Sequence, residues 1–172
     1  KKLIAKRDNG LVKVITGVRR CGKSYMLFTL YRQYLLECGV AEEQVVSLAL
    51  DNALNAKYRD PMALAEYLEA HTPTNGNRYY VLLDEIQYVG KKKIQENPEI
   101  LISFYDVLNS LLQKGNADIY VTGSNSKMLS SDIATEFRGR GDELHIRPLS
   151  FSEFYSFRGG DKTDAFSEYL TY

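Results

Sequence analysis

Residues 17–24 read GVRRCGKS: two glycines frame four residues, and a lysine and a serine follow. This is the Gly-x4-Gly-Lys-Ser/Thr spacing of a phosphate-binding loop. Gly17 and Gly22 let the backbone wrap closely round an anion where a Cβ would crowd it. The amides of Val18, Arg19, Arg20 and Cys21, and those of Lys23, Ser24 and Tyr25 where a helix begins, then form an anion nest backed by the partial positive charge of the helix end. Lys23 reaches the β- and γ-phosphates of a nucleotide, and the Ser24 hydroxyl ligates Mg²⁺. A bland alternative exists, a glycine turn capping a helix, but the loop follows an apolar run and precedes a helical pattern, the setting the motif requires.

Such a loop needs a second metal ligand and a group to act on the attacking water. The run YYVLLDE ends on two carboxylates. Asp84 suits the Mg²⁺ shell, and Glu85 beside it suits a general base; a solvated acidic turn is the alternative. A later run ends VTGSN, where Asn125, or failing that Ser124 or Thr122, can meet the γ-phosphate or the water, unless it only caps a helix. In EFRGRGDE, Arg138 and Arg140 flank Gly139. They are placed to reach a neighbouring subunit's γ-phosphate rather than their own, or else form a solvated basic turn.

These residues need a scaffold that brings them to one edge. LVKVIT (11–16), QVVSLAL (44–50), YYVLLD (79–84) and ADIYVT (117–122) read as strands, and ELHIRP (143–148) alternates like an edge strand. Met26, Leu27, Leu30, Tyr31, Tyr34, Leu35 and Cys38 recur at helical spacing, and Gly39 closes that helix. Asp60 and Pro61 read as the cap and first residue of a helix reaching about Ala70. Asn97 and Pro98 open another, with Leu101, Phe104, Tyr105, Leu108, Leu111 and Leu112 on one side. A short helix is expected from about Ser126 to Phe137, and a Ser150–Glu153 capping box starts a last one. Residues 71–77 and 89–98 read as loops. Strand–helix alternation predicts an α/β fold, a parallel sheet with helices on both faces, in which ligands sit at the strands' carboxyl ends.

The 172 residues suffice for one core domain, and the formal net charge of zero advertises neither nucleic acid nor an anionic membrane. No apolar run is long enough to span a bilayer. Two cysteines, Cys21 and Cys38, make no disulfide framework, which fits a reducing, cytoplasmic setting. The first residue is not methionine and SEYLTY carries no helix stop signal, so a piece of a longer chain is expected.

Taken together, KVITGVRRCGKSYML, VLLDEIQ, IYVTGSNSKMLSSDIATEFRGR and IRPLSFSEF resemble the prokaryotic AAA-type ATPases that carry a separate C-terminal domain of unknown function. The resemblance runs along nearly the whole chain. It implies the AAA+ P-loop NTPase core with five-stranded sheet order 5-1-4-3-2. It assigns Lys23 and Ser24 to Walker A, Asp84 and Glu85 to Walker B, Asn125 to sensor 1 and Arg140 to the arginine-finger position; Arg138 has no firm counterpart. It implies a core over 1–148, with 149–172 beginning a helical lid or a linker to the C-terminal domain. No second sensor is identifiable.

The function expected is ATP–Mg²⁺ binding and hydrolysis driving an attached domain or a macromolecular partner, in a chain that forms homo-oligomers when full-length. A P-loop small-molecule or nucleotide kinase is the alternative, with Asp51 as acceptor base. A GTPase is disfavoured, since no Asn-Lys-x-Asp signature occurs and DEIQ lacks Asp-x-x-Gly. Lys91, Lys92 and Lys93 read as a solvated loop more readily than a nucleic-acid contact, and His71 and His145 have no ligand-spaced companions.

Overall fold

Strands Val12–Thr16 (β1), Tyr79–Asp84 (β3) and Ala117–Gly123 (β6) are buried along their whole length. They form the middle of a five-stranded sheet, in the computed structural model that describes residues 2–72, 76–93, 99–124, 137 and 139–171. Val45–Ala49 (β2) and Gly141–His145 (β7) are its edges, and the order is β2-β3-β6-β1-β7. Every pairing is parallel. Between β3 and β6 the chain inserts an antiparallel pair, Lys92–Lys93 (β4) with Leu101–Ile102 (β5). Setting that pair aside, the strands run 2-3-4-1-5, the expected order read from the other edge.

Each central strand deals its residues alternately to two cores, as its two-residue period demands. Val12, Val14, Tyr79, Val81, Leu83, Ile119 and Val121 face one core, with Leu64, Leu68, Leu108 and Leu111 from helices Pro61–Ala70 and Phe104–Gln113. Ile15, Tyr80, Leu82 and Tyr120 face the other, with Leu27, Tyr31, Leu35 and Leu3. Leu27, Tyr31 and Leu35 belong to the stretch after the glycine loop, which runs Lys23–Tyr25 (α), Met26–Tyr31 (π) and Arg32–Glu37 (α). Gly39 ends it at φ +84.

Local signals placed several boundaries. Asp60 accepts from the amides of Met62 and Ala63, and Pro61 is the first helical residue. Ser150 and Glu153 form their reciprocal cap. β7 lies at an edge, with Leu144 buried while Glu143 and His145 are exposed. Elsewhere the structure differs from the sequence reading. The helix expected from Asn97 and Pro98 begins at Phe104, capped by Ser103, whose amide and hydroxyl both donate to Asp106. Asn97 and Pro98 lie outside the described residues. Leu101 sits in the hairpin, half exposed. Lys92 pairs with Ile102 and Lys93 with Leu101 rather than forming open loop. The reason is that the apolar pattern of 101–112 is only helical after Ser103, and a two-residue ladder leaves no periodicity to detect. The C-terminal segment makes two helices, Phe151–Arg158 and Lys162–Tyr169, because Gly159 and Gly160 both take positive φ between them. An added N-terminal turn, Lys2–Ala5, buries Leu3.

The second core also holds charge. Lys13 and Asp118, both essentially inaccessible, form an ion pair. Asp118 further accepts from the Tyr120 hydroxyl at 2.7 Å and the Asp8 amide at 3.0 Å, and Tyr31 donates to Tyr120. Burial pushes the Lys13 ammonium down from its ordinary value, and Asp118 opposes that shift. Asp118→Asn should therefore cost about 3 kcal/mol near neutral pH, because it strands a buried ammonium without a counter-charge. Urea unfolding measures the loss. The Lys13→Met, Asp118→Leu double variant should recover part of it, as both charges then leave together.

Candidate functional site

The loop leaves β1 at Gly17, at the carboxyl end of the central strand. Gly17 has φ +154, and a Cβ there would sit 2.3 Å from the Ile146 carbonyl oxygen at the end of the neighbouring strand. Only glycine fits between the two backbones. Arg20 (φ +66) and Gly22 (φ +89) turn the loop into the helix that starts at Lys23. Among the described residues, the amides of Val18, Arg19, Arg20 and Gly22 donate to no backbone carbonyl, while Cys21 reaches Val18 at 3.4 Å. Backbone N–H groups without acceptors at a helix entrance are the donor set an anion requires.

The Lys23 side chain is only 3% exposed. Its ammonium donates to the carbonyls of Gly17 and Val18, each at 3.1 Å. The loop thus supplies internal acceptors for a cation that, buried and unpaired, would cost several kcal/mol. Val18, Arg19, Arg20, Ser24 and Tyr25 are exposed around it, and Cys21 is half-buried with its Sγ 3.8 Å from the Ile146 carbonyl.

Asp84 and Thr122 end adjacent strands, and the register that pairs Leu83 with Val121 puts them side by side. Both share the strand parity of Tyr80, Leu82 and Tyr120, so they face the side of the sheet covered by the loop helix. Thr122 donates to Asp84. Burial pushes the Asp84 carboxyl above its ordinary range; hydrogen bonds from Thr122 and Ser24 pull the other way, and the charges of Glu85 and Asp51 add to the rise. Ser24 thus lies near enough to act on the Asp84 carboxyl, a hydroxyl beside a carboxylate, both hard oxygen donors of the kind Mg²⁺ takes.

Glu85 sits at φ +55, uncommon for any residue but glycine. Its amide donates to Thr122 at 3.0 Å. Its Oε1 lies 3.9 Å from the Lys23 ammonium. Its Oε2 accepts from the Ser124 hydroxyl at 2.9 Å, from the Ser124 amide at 3.3 Å and from Gln87. Lys23, Ser24, Asp84 and Glu85 therefore converge, as the sequence reading expects. Thr122 and Ser124, candidates for touching phosphate or water, engage the two carboxylates. Gln87 escaped that reading; its signal was its place two residues beyond Glu85, on the tight turn Ile86–Tyr88. Asn125, Arg138 and the helix expected over Ser126–Phe137, apart from Phe137 itself, lie outside the described residues. Arg140 is exposed and does not join the cluster. Its carbonyl accepts from the Val12 amide at 2.8 Å, which fixes it at the amino end of β1. Five strand residues separate that point from Gly17, about 16 Å.

Beside the loop a 1110 Å³ cleft opens between Met26, Leu30 and Tyr34 of the following helix, Leu3, and Ile146 and Pro148 past β7.

This sheet order, with a glycine loop ending the central strand, is the AAA+ P-loop nucleoside-triphosphatase fold. The profile described as AAA domain matches residues 9–155, and the chain belongs to that family. Over 177 residues it is 35% identical to an uncharacterized protein of Haemophilus influenzae, across 99% of this chain and 41% of that one. It is 31% identical over 151 residues to the uncharacterized protein MJ1544 of Methanocaldococcus jannaschii, across 86% of this chain and 29% of that one. The chain thus spans less than half the length of these curated relatives. Among solved structures, C. elegans PCH-2 superposes with a TM-score of 0.58 at 16% identity, over 86% of this chain and 37% of that chain, a likeness of fold. The chain is accordingly a nucleotide-binding domain of the ATPase type. No helix among the described residues is long and apolar enough to cross a membrane.

The Asp84 shift fixes a sign. A carboxyl raised in the folded state stabilises the fold below the ordinary carboxylate range, and that contribution is lost as pH rises through the raised value. At neutral pH the ionised side chain is therefore a cost to the ligand-free fold. Asp84→Asn should raise the thermal midpoint of the ligand-free domain at pH 7 and leave it nearly unchanged, or lower it, near pH 4. Melting curves across that range test this.

Proposed function

We propose that the domain binds ATP with Mg²⁺ at the loop ending β1 and hydrolyses it to ADP and phosphate. The observation that carries this is the convergence of Lys23, Ser24, Asp84 and Glu85 where β1 and β3 end. The amides of Val18, Arg19, Arg20 and Gly22 receive phosphate oxygens. Lys23 exchanges its two loop carbonyls for the β- and γ-phosphates, so its charge stays compensated throughout. Ser24 and Asp84 would hold Mg²⁺, which when bound neutralises charge on the β- and γ-oxygens. Glu85 takes the proton of the attacking water as general base. Asn125, next to Ser124 in sequence, orients that water or the γ-phosphate. The cleft beside Met26 and Ile146, walled by apolar side chains together with charged ones such as Lys6, Glu143 and Arg147, takes the base.

Arg140, at the far end of β1, serves a neighbouring subunit's nucleotide. The active form is then a homo-oligomer of the longer protein. Residues 1–148 act as the ATPase core and 149–172 as the start of a lid or linker, passing the nucleotide state to an attached C-terminal domain or to a protein or nucleic-acid partner. The free thiols of Cys21 and Cys38 suit a cytoplasmic setting. Phosphate release without any added acceptor separates this reading from a kinase.

Two measurements test the proposal. ATP with Mg²⁺ should raise the melting temperature of the parent domain, because ligand binds only the folded state, and Lys23→Ala should abolish that shift. A Lys23→Ala variant that binds as tightly as the parent contradicts the site. In the full-length protein, Arg140→Ala should retain nucleotide affinity and lose about 10³-fold or more in turnover. Mixing it with Lys23→Ala should restore part of the rate, since each subunit supplies what the other lacks. A rate independent of protein concentration, with no rescue in the mixture, removes the role in trans.

A further inference from the structure

We infer that Gln87 and Ser124 position the Glu85 carboxylate for hydrolysis, holding one of its oxygens so that the other faces the phosphate site. The inference rests on Glu85 being the general base. It starts from an asymmetry: among the described residues, every short hydrogen bond to this carboxylate falls on Oε2. The Ser124 hydroxyl reaches it at 2.9 Å and the Ser124 amide at 3.3 Å. Gln87 Nε2 also donates to it, and donates to the Ser124 hydroxyl oxygen at 3.1 Å. The three side chains close a triangle in which each polar hydrogen has one acceptor. Oε1 is left facing Lys23, 3.9 Å away.

That distance is itself informative. A lysine and a glutamate free to meet in a partly buried site close to about 2.7–2.9 Å. The Lys23 side chain is 3% exposed and that of Glu85 14% exposed, so little water screens their attraction. The tether on Oε2 opposes closure, and Lys23 keeps its loop carbonyls. A base collapsed onto Lys23 would compete with phosphate for that ammonium and would have no oxygen left for water. The tether prevents both.

The backbone contributes as well. Glu85 takes its left-handed conformation with its amide fixed to Thr122, so the Cα–Cβ direction is set before the side chain is tethered. Buried Ile86 anchors the turn that carries Gln87.

The chemistry of Gln87 fits this task. A neutral amide offers donors to a carboxylate without adding a like charge. Turned over, its oxygen would face Glu85 Oε2 and a Ser124 oxygen whose proton is already committed, so the orientation with nitrogen toward Glu85 is the compatible one. Its Oε1 is buried and has no hydrogen-bond partner among the described residues. An unfilled buried acceptor costs stability that an apolar side chain at 87 would avoid. Packing alone does not call for glutamine here, whereas a donor for Glu85 does.

The test is steady-state ATP hydrolysis by the full-length protein, with Glu85→Gln run in parallel. Gln87→Met keeps the volume and removes the donor. Ser124→Ala removes the hydroxyl and keeps the backbone amide. Each should lower kcat between about tenfold and about a hundredfold, as misplacement of a catalytic group does. KM for ATP, and the affinity for a non-hydrolysable ATP analogue with Mg²⁺, should stay within about twofold of the parent, because uniform binding is untouched. Ser124→Thr should keep more of the rate than Ser124→Ala. Hydrolysis by Glu85→Gln at the parent rate means that the general-base reading has failed. Glu85→Gln inactive, with Gln87→Met and Ser124→Ala turning over at the parent rate or faster, overturns the positioning role alone. A raised KM with unchanged kcat also overturns it. Melting curves of both variants separate a lost fold from a lost orientation, and either variant suffices if the other unfolds.

Discussion

The arrangement depends on β1 lying between two parallel neighbours with both faces covered. Val12 to Thr16 are fully buried, so the strand can carry no polar side chain without a partner, and Lys13 has Asp118. A parallel strand cannot turn back on itself. It must leave the sheet at its carboxyl end and cross over through a helix. The crossover begins in a crowded gap, because the Ile146 amide bonds the Thr16 carbonyl at 2.7 Å and its own carbonyl presses on Gly17. The glycine requirement thus comes first from the neighbouring backbone. The amides that donate to no backbone carbonyl among the described residues follow from the tight path the chain takes through that gap.

The cluster beyond the loop is a set of polar groups that satisfy one another without a ligand. Lys23 uses carbonyls of its own loop, Asp84 uses Thr122, and Glu85 uses Ser124 and Gln87. Each could exchange a partner when an anion and a cation arrive, without ever passing through an unpaired buried state, which would be the costly one. Glu85 in the left-handed region and the Asp84 carboxyl, raised chiefly by its burial, are residual costs of this arrangement.

The opposite end of the sheet is organised differently. Tyr31, Tyr120, Asp118, Lys13 and the Asp8 amide form one buried network beneath the loop helix, and Tyr31 closes that helix's π-helical segment. A π turn places one extra residue in the cycle, a feature often found near functional sites. Here Leu27, Tyr31 and Leu35 still all point inward. Arg140 emerges at this same end, bound to the sheet through its backbone and exposed.

The sequence by itself determined what depends on near neighbours in the chain. The glycine spacing of residues 17–24, the Asp60–Pro61 helix start, the Ser150–Glu153 cap and the two-sided burial of YYVLLD are fixed by local sterics, hydrogen bonding and period. The strand order came only from resemblance, because spacing says nothing about which parallel strands lie side by side. The hairpin of Lys92–Lys93 with Leu101–Ile102 was illegible, since two-residue strands carry no pattern. Tertiary structure alone decided the partners of the acids. Thr122 meets Asp84 across 38 residues and Ser124 meets Glu85 across 39, through a register set by all the buried side chains of β3 and β6 together. A one-residue slip would send Asp84 to the wrong neighbour, and no short stretch of sequence encodes that alignment.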